Sequence, residues 1–185
     1  MSIFLTTDTH FGHQKMEEYC GRPRGFEFLI YNSFKCLTDQ DLLVHLGDVC
    51  IENDEKWHLM FIQTLQCKKI LIRGNHDKKS NGWYSRHGWD FVCESFSDTL
   101  FKKRILFSHT PSRDDGSFDI NIHGHFHNNL ERLKRKEWVT EGEEERNKHD
   151  LANLTEKHKL ISLEMNNYQL TKLESLCLKN PPQAS

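Results

Sequence analysis

The feature that constrains this chain most is a recurring pairing of a short apolar segment with a polar loop. Residues 2–7, 41–46 and 68–73 are apolar runs of strand length, and each is followed by a loop with Asp, Asn or His. Residues 104–107 and 118–122 repeat the pattern. Because ligands of α/β sheets collect at the carboxyl ends of the strands, the pattern predicts one site to which five loops contribute.

Helical periodicity separates the first three predicted strands. Residues 14–20 form a helical stretch, and residues 26–37 and 53–66 carry apolar side chains at helical spacing. Asn53 or Asp54 is suited to cap the third helix. Alternating strands and helices with connections of this length predict parallel crossovers.

The second half carries shorter and more closely spaced strand candidates, at residues 91–96, 99–101, 104–107, 118–122, 160–165 and 168–173. This spacing predicts an antiparallel or mixed second sheet. A chain of 185 residues fits one domain, which we place at residues 1–178. Residues 131–150 are expected to form a charged insertion, and residues 179–185 a disordered tail.

Composition and charge narrow the classes of partner. The formal net charge is −2, so no overall basic field draws the molecule to nucleic acid or to an anionic membrane. No apolar run approaches the ~20 residues that span a bilayer. The six cysteines are widely spaced, with no CxxC pair and no signal peptide, which predicts reduced thiols in a cytoplasmic protein. The sequence leaves the oligomeric state open.

The five loops share a mixed set of carboxylate, imidazole and amide side chains: Asp8, His10, Asp48, Asn75, His76, Asp77, His109, His123, His125 and His127. Such a set suits borderline divalent ions, and the absence of cysteine disfavours a structural thiolate zinc site. One ion that keeps a water needs only about three to five protein ligands. The set is therefore large enough for two ions that share a bridging carboxylate.

These residues form motifs that resemble those of the calcineurin-like metallophosphoesterase family: Asp8-Thr9-His10, Gly47-Asp48, Gly74-Asn75-His76-Asp77, Ser108-His109 and Gly124-His125-Phe126-His127. They occur in the family's order. The resemblance runs from residue 3 to residue 127, and residues 160–174 are similar to the closing strands of small single-domain members. It implies an α/β fold, a four-layer α-β-β-α sandwich of two mixed sheets flanked by helices, with the metals at one edge of the sheets.

The resemblance also implies roles for individual residues. It implies seven metal ligands, with Asp48 bridging two ions: Asp8, His10 and His127 on one, and Asn75, His109 and His125 on the other. His76 would donate a hydrogen bond or a proton to the substrate phosphate, and Asp77 would orient its imidazole. Mn²⁺ is the expected ion, with Fe, Zn or Ni as alternatives.

Three nearby residues have two interpretations each. His123 supports a metal ligand from outside the coordination sphere, or ligates directly. His13 faces the substrate, or caps the following helix. Arg22, in an Arg-Pro step that similar small members carry, reaches a substrate phosphate or belongs to an ordinary surface turn.

The charged insertion is likewise open to more than one interpretation. Residues 131–150 form a solvated helix or a disordered segment, or else a lid, a dimer contact or a basic track. The track would consist of Arg132, Lys134, Arg135 and Lys136. Trp138 is a candidate to dock the insertion onto the body.

The implied function is hydrolysis of a phosphodiester or phosphomonoester, either a nucleotide or another small phosphoester, by attack of metal-bound hydroxide. The segment at residues 47–52 does not resemble that of serine/threonine protein phosphatases, which disfavours that class. Two alternatives stay open. One is a nuclease on single strands or ends, for which the basic residues near 132–136 are the hint; the other is a non-catalytic protein-interaction module on the same fold.

Overall fold

Two β-sheets form the centre of the protein in a computed structural model that describes residues 1–137 and 142–178. The strands of the first sheet are β1 (Ile3–Thr6), β2 (Leu42–His45), β3 (Lys68–Ile72), β4 (Phe91–Cys93) and β9 (Thr171–Lys172). Their spatial order is β4-β3-β2-β1-β9. Strands β1 to β4 run parallel and β9 pairs antiparallel with β1, so the sheet is mixed.

The second sheet is also mixed. Its strands, in spatial order, are β5 (Ser95–Leu100), β6 (Lys103–Ser108), β7 (Ile120–His123) and β8 (His158–Leu160). The β5–β6 pair is antiparallel, whereas β7 runs parallel to both β6 and β8.

Short helices connect and flank the sheets: α1 (Met16–Cys20), α2 (Phe26–Phe34), α3 (Asp54–Trp57), α4 (Asn81–Arg86), α5 (Leu130–Lys134), α6 (Glu143–Asn153) and α7 (Leu173–Cys177). A π-helical turn, His58–Ile62, continues α3, and a 3-10 turn occupies Glu164–Asn166. Within the described part of the chain, no helix has the length and apolar character needed to cross a bilayer.

The core lies in two layers, one between the sheets and one on the outer face of the first sheet. Between the sheets, the buried side chains are Leu5, Val44, Leu46, Ile72, Ile105, Phe107, Ile120 and Ile122. The outer layer is largely aromatic and includes Phe11, Phe26, Phe34, Trp57, Phe61, Tyr84 and Trp89. Burying each large apolar side chain stabilises the fold by roughly 1.5–3 kcal/mol. The predicted class, two mixed sheets flanked by helices, is confirmed.

The structure differs from the prediction mainly at segment boundaries in the second half. The single strand predicted at residues 91–96 is two strands, because the chain leaves the first sheet after Cys93 and enters the second at Ser95. The strands predicted at 160–165 and 168–173 are largely wrong. Strand β8 ends at Leu160, β9 has two residues, and α7 begins at Leu173. The predicted tail at 179–185 lies outside the described residues.

Candidate metal centre

The predicted ligands converge because their loops follow strands whose carboxyl ends share one edge of the molecule. In the first group, the Asp8 carboxylate lies between two imidazoles. Its Oδ1 atom is 3.8 Å from His10 Nε2 and 3.7 Å from His127 Nε2. The side chain of Asp8 is 2% exposed, which keeps this group out of bulk water.

Asp48 joins this first group to a second one. Its Oδ2 atom is 3.6 Å from His10 Nε2 and 3.4 Å from His109 Nε2. On the far side, His109 Nε2 lies 3.0 Å from Asn75 Oδ1 and 3.3 Å from His125 Nδ1. The structure therefore brings all seven predicted ligands together, with Asp48 between the two groups.

The chemistry of these atoms fits divalent cations. Asp8 Oδ1 is buried without a hydrogen-bond partner, whereas Oδ2 accepts from the Thr7 hydroxyl and from the amide of His125. Ligand atoms lie within 4.8 Å of one another in two sets, Asp8-His10-His127 and Asp8-Asp48-His109. Two ligands of one ion, each at about 2.1 Å from it, lie roughly 3.0–3.4 Å apart. The separations of 3.0–3.8 Å in the two groups equal or slightly exceed this range.

The backbone at the site adopts an uncommon conformation. Positive φ angles, between 46° and 75°, occur at five of the seven predicted ligands: Asp8, His10, Asp48, His125 and His127. Non-glycine residues in this region are a few per cent of all residues, with Asn, Asp and His enriched. Such conformations persist where the surrounding structure enforces them, and they concentrate at functional sites.

Two glycines allow the loops to approach this closely. A Cβ atom at Gly74 would overlap the Asp48 carboxylate, and one at Gly124 would overlap the Thr7 hydroxyl and the Asp8 carboxylate. Both glycines precede predicted ligands. They therefore provide space for the acidic side chains on the neighbouring loops.

Electrostatics favour positive charge around Asp48. Burial alone would raise the pKa of Asp48, but the His109 and His10 imidazoles lower it far below its usual value. Burial lowers the pKa of His109, but the Asp48 carboxylate more than offsets this and raises it to about 9. The Nδ1–H of His109 donates to the carbonyl oxygen of Leu46 at 2.7 Å, so Nε2 is the nitrogen that faces Asp48. A metal cation between these side chains would interact favourably with the Asp48 carboxylate, which in this structure stabilises the protonated form of His109.

The sequence matches a known protein family. The family model described as calcineurin-like phosphoesterase matches residues 1–179. The chain belongs to this family.

The chain is also similar to individual proteins. This chain is 31% identical to the uncharacterized protein MJ1445 of Methanocaldococcus jannaschii over 138 residues, which are 69% of this chain and 70% of that protein. The crystal structure of AQ665 from Aquifex aeolicus, a protein of unknown function, matches with a TM-score of 0.69 and 25% identity, covering 95% of this chain and 97% of that one. Nuclease MPE of Pseudomonas putida matches with a TM-score of 0.45 and 22% identity, over 68% and 61% of the two chains.

His76 and Asp77 occupy different environments in this phosphoesterase-family site. His76 is exposed, its amide donates to Asp48 Oδ1 at 2.8 Å, and its ring centroid is 5.4 Å from that of His10. The prediction that Asp77 orients the His76 imidazole is wrong. The buried carboxylate of Asp77 accepts from the amides of Asp48, Val49 and Gly74, and thereby ties the β2 and β3 loops together. Burial and the Asp48 carboxylate raise the pKa of Asp77 to about 6, against these three donors.

Arg22 also differs from its prediction as a substrate-binding residue. Its guanidinium is fully buried and donates to the carbonyl oxygens of Asp8 at 2.6 Å and Thr9 at 2.8 Å. Its other polar contacts are to Glu164, at 2.6 and 2.8 Å, and its carbon Cζ lies 4.8 Å from the centroid of the Phe26 ring. All of these acceptors belong to the protein, so the guanidinium braces the first ligand loop from behind. Glu164, which the sequence reasoning missed, carries no motif signal and lies in the 3-10 turn.

His13 and His123, which had two interpretations each, differ in burial: His13 is partly exposed, whereas His123 is buried. His13 borders an open cavity of about 640 Å³, and its ring centroid is 5.8 Å from that of His10. No side-chain hydrogen bond caps α1, so the capping interpretation lacks its expected contact. His123 is completely buried, and its Nδ1–H donates to the carbonyl oxygen of Gly124 at 2.9 Å. Burial lowers the pKa of His123 to about 4.

The charged insertion reaches the metal centre through helix α6. Asp150 Oδ2 lies 3.5 Å from His125 Nε2, on the side of the ring opposite His109. The basic track is largely neutralised, since Arg132 pairs with Glu143, Lys134 with Glu131, and Arg135 with Glu137. Trp138 lies outside the described residues.

Proposed function

We propose that this protein is a two-metal-dependent phosphoesterase that hydrolyses a phosphodiester or phosphomonoester, with a nucleotide or another small phosphoester as substrate. The observation that carries the proposal is the position of Asp48, whose carboxylate faces an imidazole of each ligand group while its Oδ1 accepts from the amide of His76. A carboxylate shared by two ions, next to an exposed histidine, would suit two-metal hydrolysis of a phosphoester.

Under this proposal the ligand groups would hold two divalent ions, with Mn²⁺ as the expected ion. One ion would be held by Asp8, His10 and His127, the other by Asn75, His109 and His125, and both by Asp48. When bound, such ions activate water and offset charge on the phosphoryl oxygens. Carboxylate, imidazole and amide donors suit Mn²⁺, Fe²⁺ and Zn²⁺ alike, so the donor set does not by itself select one metal.

The side chain of His76 is free to act on the substrate. It is exposed at the rim of the metal centre, where an imidazole N–H can donate to a phosphoryl oxygen or protonate a leaving group. A cavity of about 760 Å³ extends from His76 and is lined by Lys56, Lys78, Lys79 and Trp83, among others. A second cavity, of about 340 Å³, lies on the other side and includes Asn75 and His109. Under this proposal the two cavities would offer space for the two substituents of a diester.

The alternatives receive less support. Three of the four basic residues that suggested a nuclease, Arg132, Lys134 and Arg135, pair with glutamates, which weakens the positive charge available to a nucleic acid there. A non-catalytic module would not need an exposed His76 or a complete ligand set. Small-molecule hydrolysis is therefore the function we favour.

The test is hydrolysis of an aryl phosphodiester and an aryl phosphomonoester by purified protein with added Mn²⁺. We expect Asp48→Asn to abolish turnover and His76→Ala to reduce kcat by roughly 10²–10³-fold. The exposed residues Asp98 and His149 provide matched controls, Asp98→Asn and His149→Ala, which should retain full activity. Full activity in metal-free protein, or in both site variants, would overturn the proposal.

A further inference from the structure

His127 has partners on both ring nitrogens, and they differ in kind. Nε2 faces Asp8 Oδ1 at 3.7 Å, inside the ligand group. Nδ1 faces away and donates to Glu164 Oε1 at 3.2 Å. The partner of the outer nitrogen determines which tautomer a ligating histidine adopts and how its ring is oriented. Glu164 lies outside all five sequence motifs.

Glu164 is itself held by a buried network. Its side chain is 4% exposed, and Oε1 accepts from Arg22 Nε at 2.8 Å and pairs with Nη2 at 2.6 Å. Its other oxygen accepts from the Ser162 hydroxyl at 2.9 Å. Arg22 also donates to the carbonyl oxygens of Asp8 and Thr9. One guanidinium thus connects Glu164 to the loop that carries the first two predicted ligands.

We propose that Glu164 is a positioning residue of the metal centre: it holds His127 with Nε2 directed at Asp8, and Arg22 braces it against the loop after β1. This inference rests on the proposed function, because it assigns His127 as a ligand. The Glu164 carboxylate keeps the proton of His127 on Nδ1 and leaves the lone pair on Nε2. It also makes the imidazole more basic, and therefore a stronger metal ligand.

A second arrangement of the same atoms is possible in principle and is distinguishable. Cys20, His127 and Glu164 offer ligand atoms within 4.8 Å of one another, so an ion could bind His127 on its outer side. The pairing of Glu164 Oε1 with Arg22 disfavours this, because a guanidinium and a divalent cation would compete for one oxygen. The two arrangements place the ion on different nitrogens of His127.

The first experiment measures Mn²⁺ affinity by calorimetry in Glu164→Gln and Glu164→Ala proteins. We expect about 10-fold weaker binding for Gln, which keeps an acceptor oxygen, and about 100-fold for Ala. The exposed Glu174 provides the matched control Glu174→Gln, which should bind as the wild type does. Excess Mn²⁺ should restore most of the activity, which a merely structural defect would not allow. Unchanged Mn²⁺ affinity in folded Glu164→Ala protein would overturn the inference.

The second experiment needs no variant and stands if the variants fail to fold. In wild-type protein loaded with Zn²⁺, which is diamagnetic, ¹⁵N NMR of the histidines should show His127 protonated on Nδ1 and metal-bound through Nε2. A metal-bound Nδ1, or a proton on Nε2, would contradict our assignment. Neither the calorimetric affinity nor the NMR spectrum depends on a substrate. A wild-type protein that binds metal but hydrolyses no phosphoester would therefore refute the proposed function while leaving this inference to its own test.

Discussion

The two ligand groups of the metal centre differ in how their histidines are held. We call the group of Asp8, His10 and His127 the inner half, and the group of Asn75, His109 and His125 the outer half. In the inner half, Asp8 and His10 are almost fully buried, and the partner of His127 is Glu164, 4% exposed and tied to Arg22. In the outer half, Asn75 is exposed, and the nearby carboxylate is Asp150, 22% exposed. The inner half is thus rigidly organised by the fold, whereas the outer half is open to solvent and is contacted by the charged insertion.

The largest expected difference between the halves is in stability. Arg22→Ala removes the partner of a buried carboxylate and leaves two loop carbonyls without their donor, so it should lower the free energy of unfolding by about 3–5 kcal/mol. Urea denaturation of metal-free protein measures this change. A loss below 1 kcal/mol would mean that the inner half does not depend on its buried network.

A pH series tests how burial affects His58, a histidine outside the metal centre, for comparison with His127. Burial lowers the pKa of His127 but Asp8, together with Cys20 and Glu164, raises it well above its usual value, whereas burial lowers the pKa of His58 to about 4. His58 therefore stays neutral in the native protein from pH 6.5 to about 4, while the unfolded chain takes up a proton. Over that window it should remove up to about 3 kcal/mol of stability as pH falls.

The measurement is urea denaturation in the presence of EDTA at pH 7.5 and pH 4.5, for wild type and for His58→Asn. The asparagine amide can replace the ring N–H that donates to the carbonyl oxygen of Asp54 at 2.8 Å. The variant should lose less stability on acidification than the wild type. Equal losses in the two proteins would show that other groups cause the acid sensitivity.

A pair of glycine substitutions compares the tightly packed site with an open helix. Gly124→Ala places a methyl group against Thr7 and Asp8 in the inner half, and should destabilise the protein by about 1–3 kcal/mol and weaken Mn²⁺ binding. Gly82→Ala in α4 adds a Cβ atom whose nearest neighbour, Arg86 Nη1, is 3.6 Å away. This substitution should raise the free energy of unfolding by up to about 1 kcal/mol. Thermal unfolding with and without Mn²⁺ measures both. A neutral Gly124→Ala would mean that the loops around Asp8 are looser than this packing implies.

The smallest effect is expected in the outer half. Asp150→Asn alters a partly exposed contact at 3.5 Å, so stability should change by no more than about 0.5 kcal/mol. Mn²⁺ affinity should fall less than in Glu164→Gln, and calorimetry on the two proteins in parallel decides this. If Asp150→Asn weakens Mn²⁺ binding as much as Glu164→Gln does, the two halves depend equally on the carboxylates that contact their histidines.

Much of the fold was predictable because its signals are local. The apolar runs of β1, β2 and β3 lie within about one residue of their observed bounds, and the helices between them follow from apolar spacing. The closing segment was not predictable in the same way. Strand β9 has only two residues and is defined by its pairing with β1, a contact across most of the chain. Periodicity cannot report an element so short.

The sequence by itself determined the chemistry of the loops, since a carboxylate, an imidazole or an amide directly after each of five strands must lie near a sheet edge. Only the tertiary structure decided what each polar side chain contacts. Arg22 and Glu164 are 142 residues apart, and Asp77 reaches the β2 loop across 28 and 29 residues. Such contacts depend on how loops from different strands pack together. Local sequence therefore suggests a substrate contact or a surface turn for Arg22, whereas the structure shows a buried side chain that braces the first ligand loop.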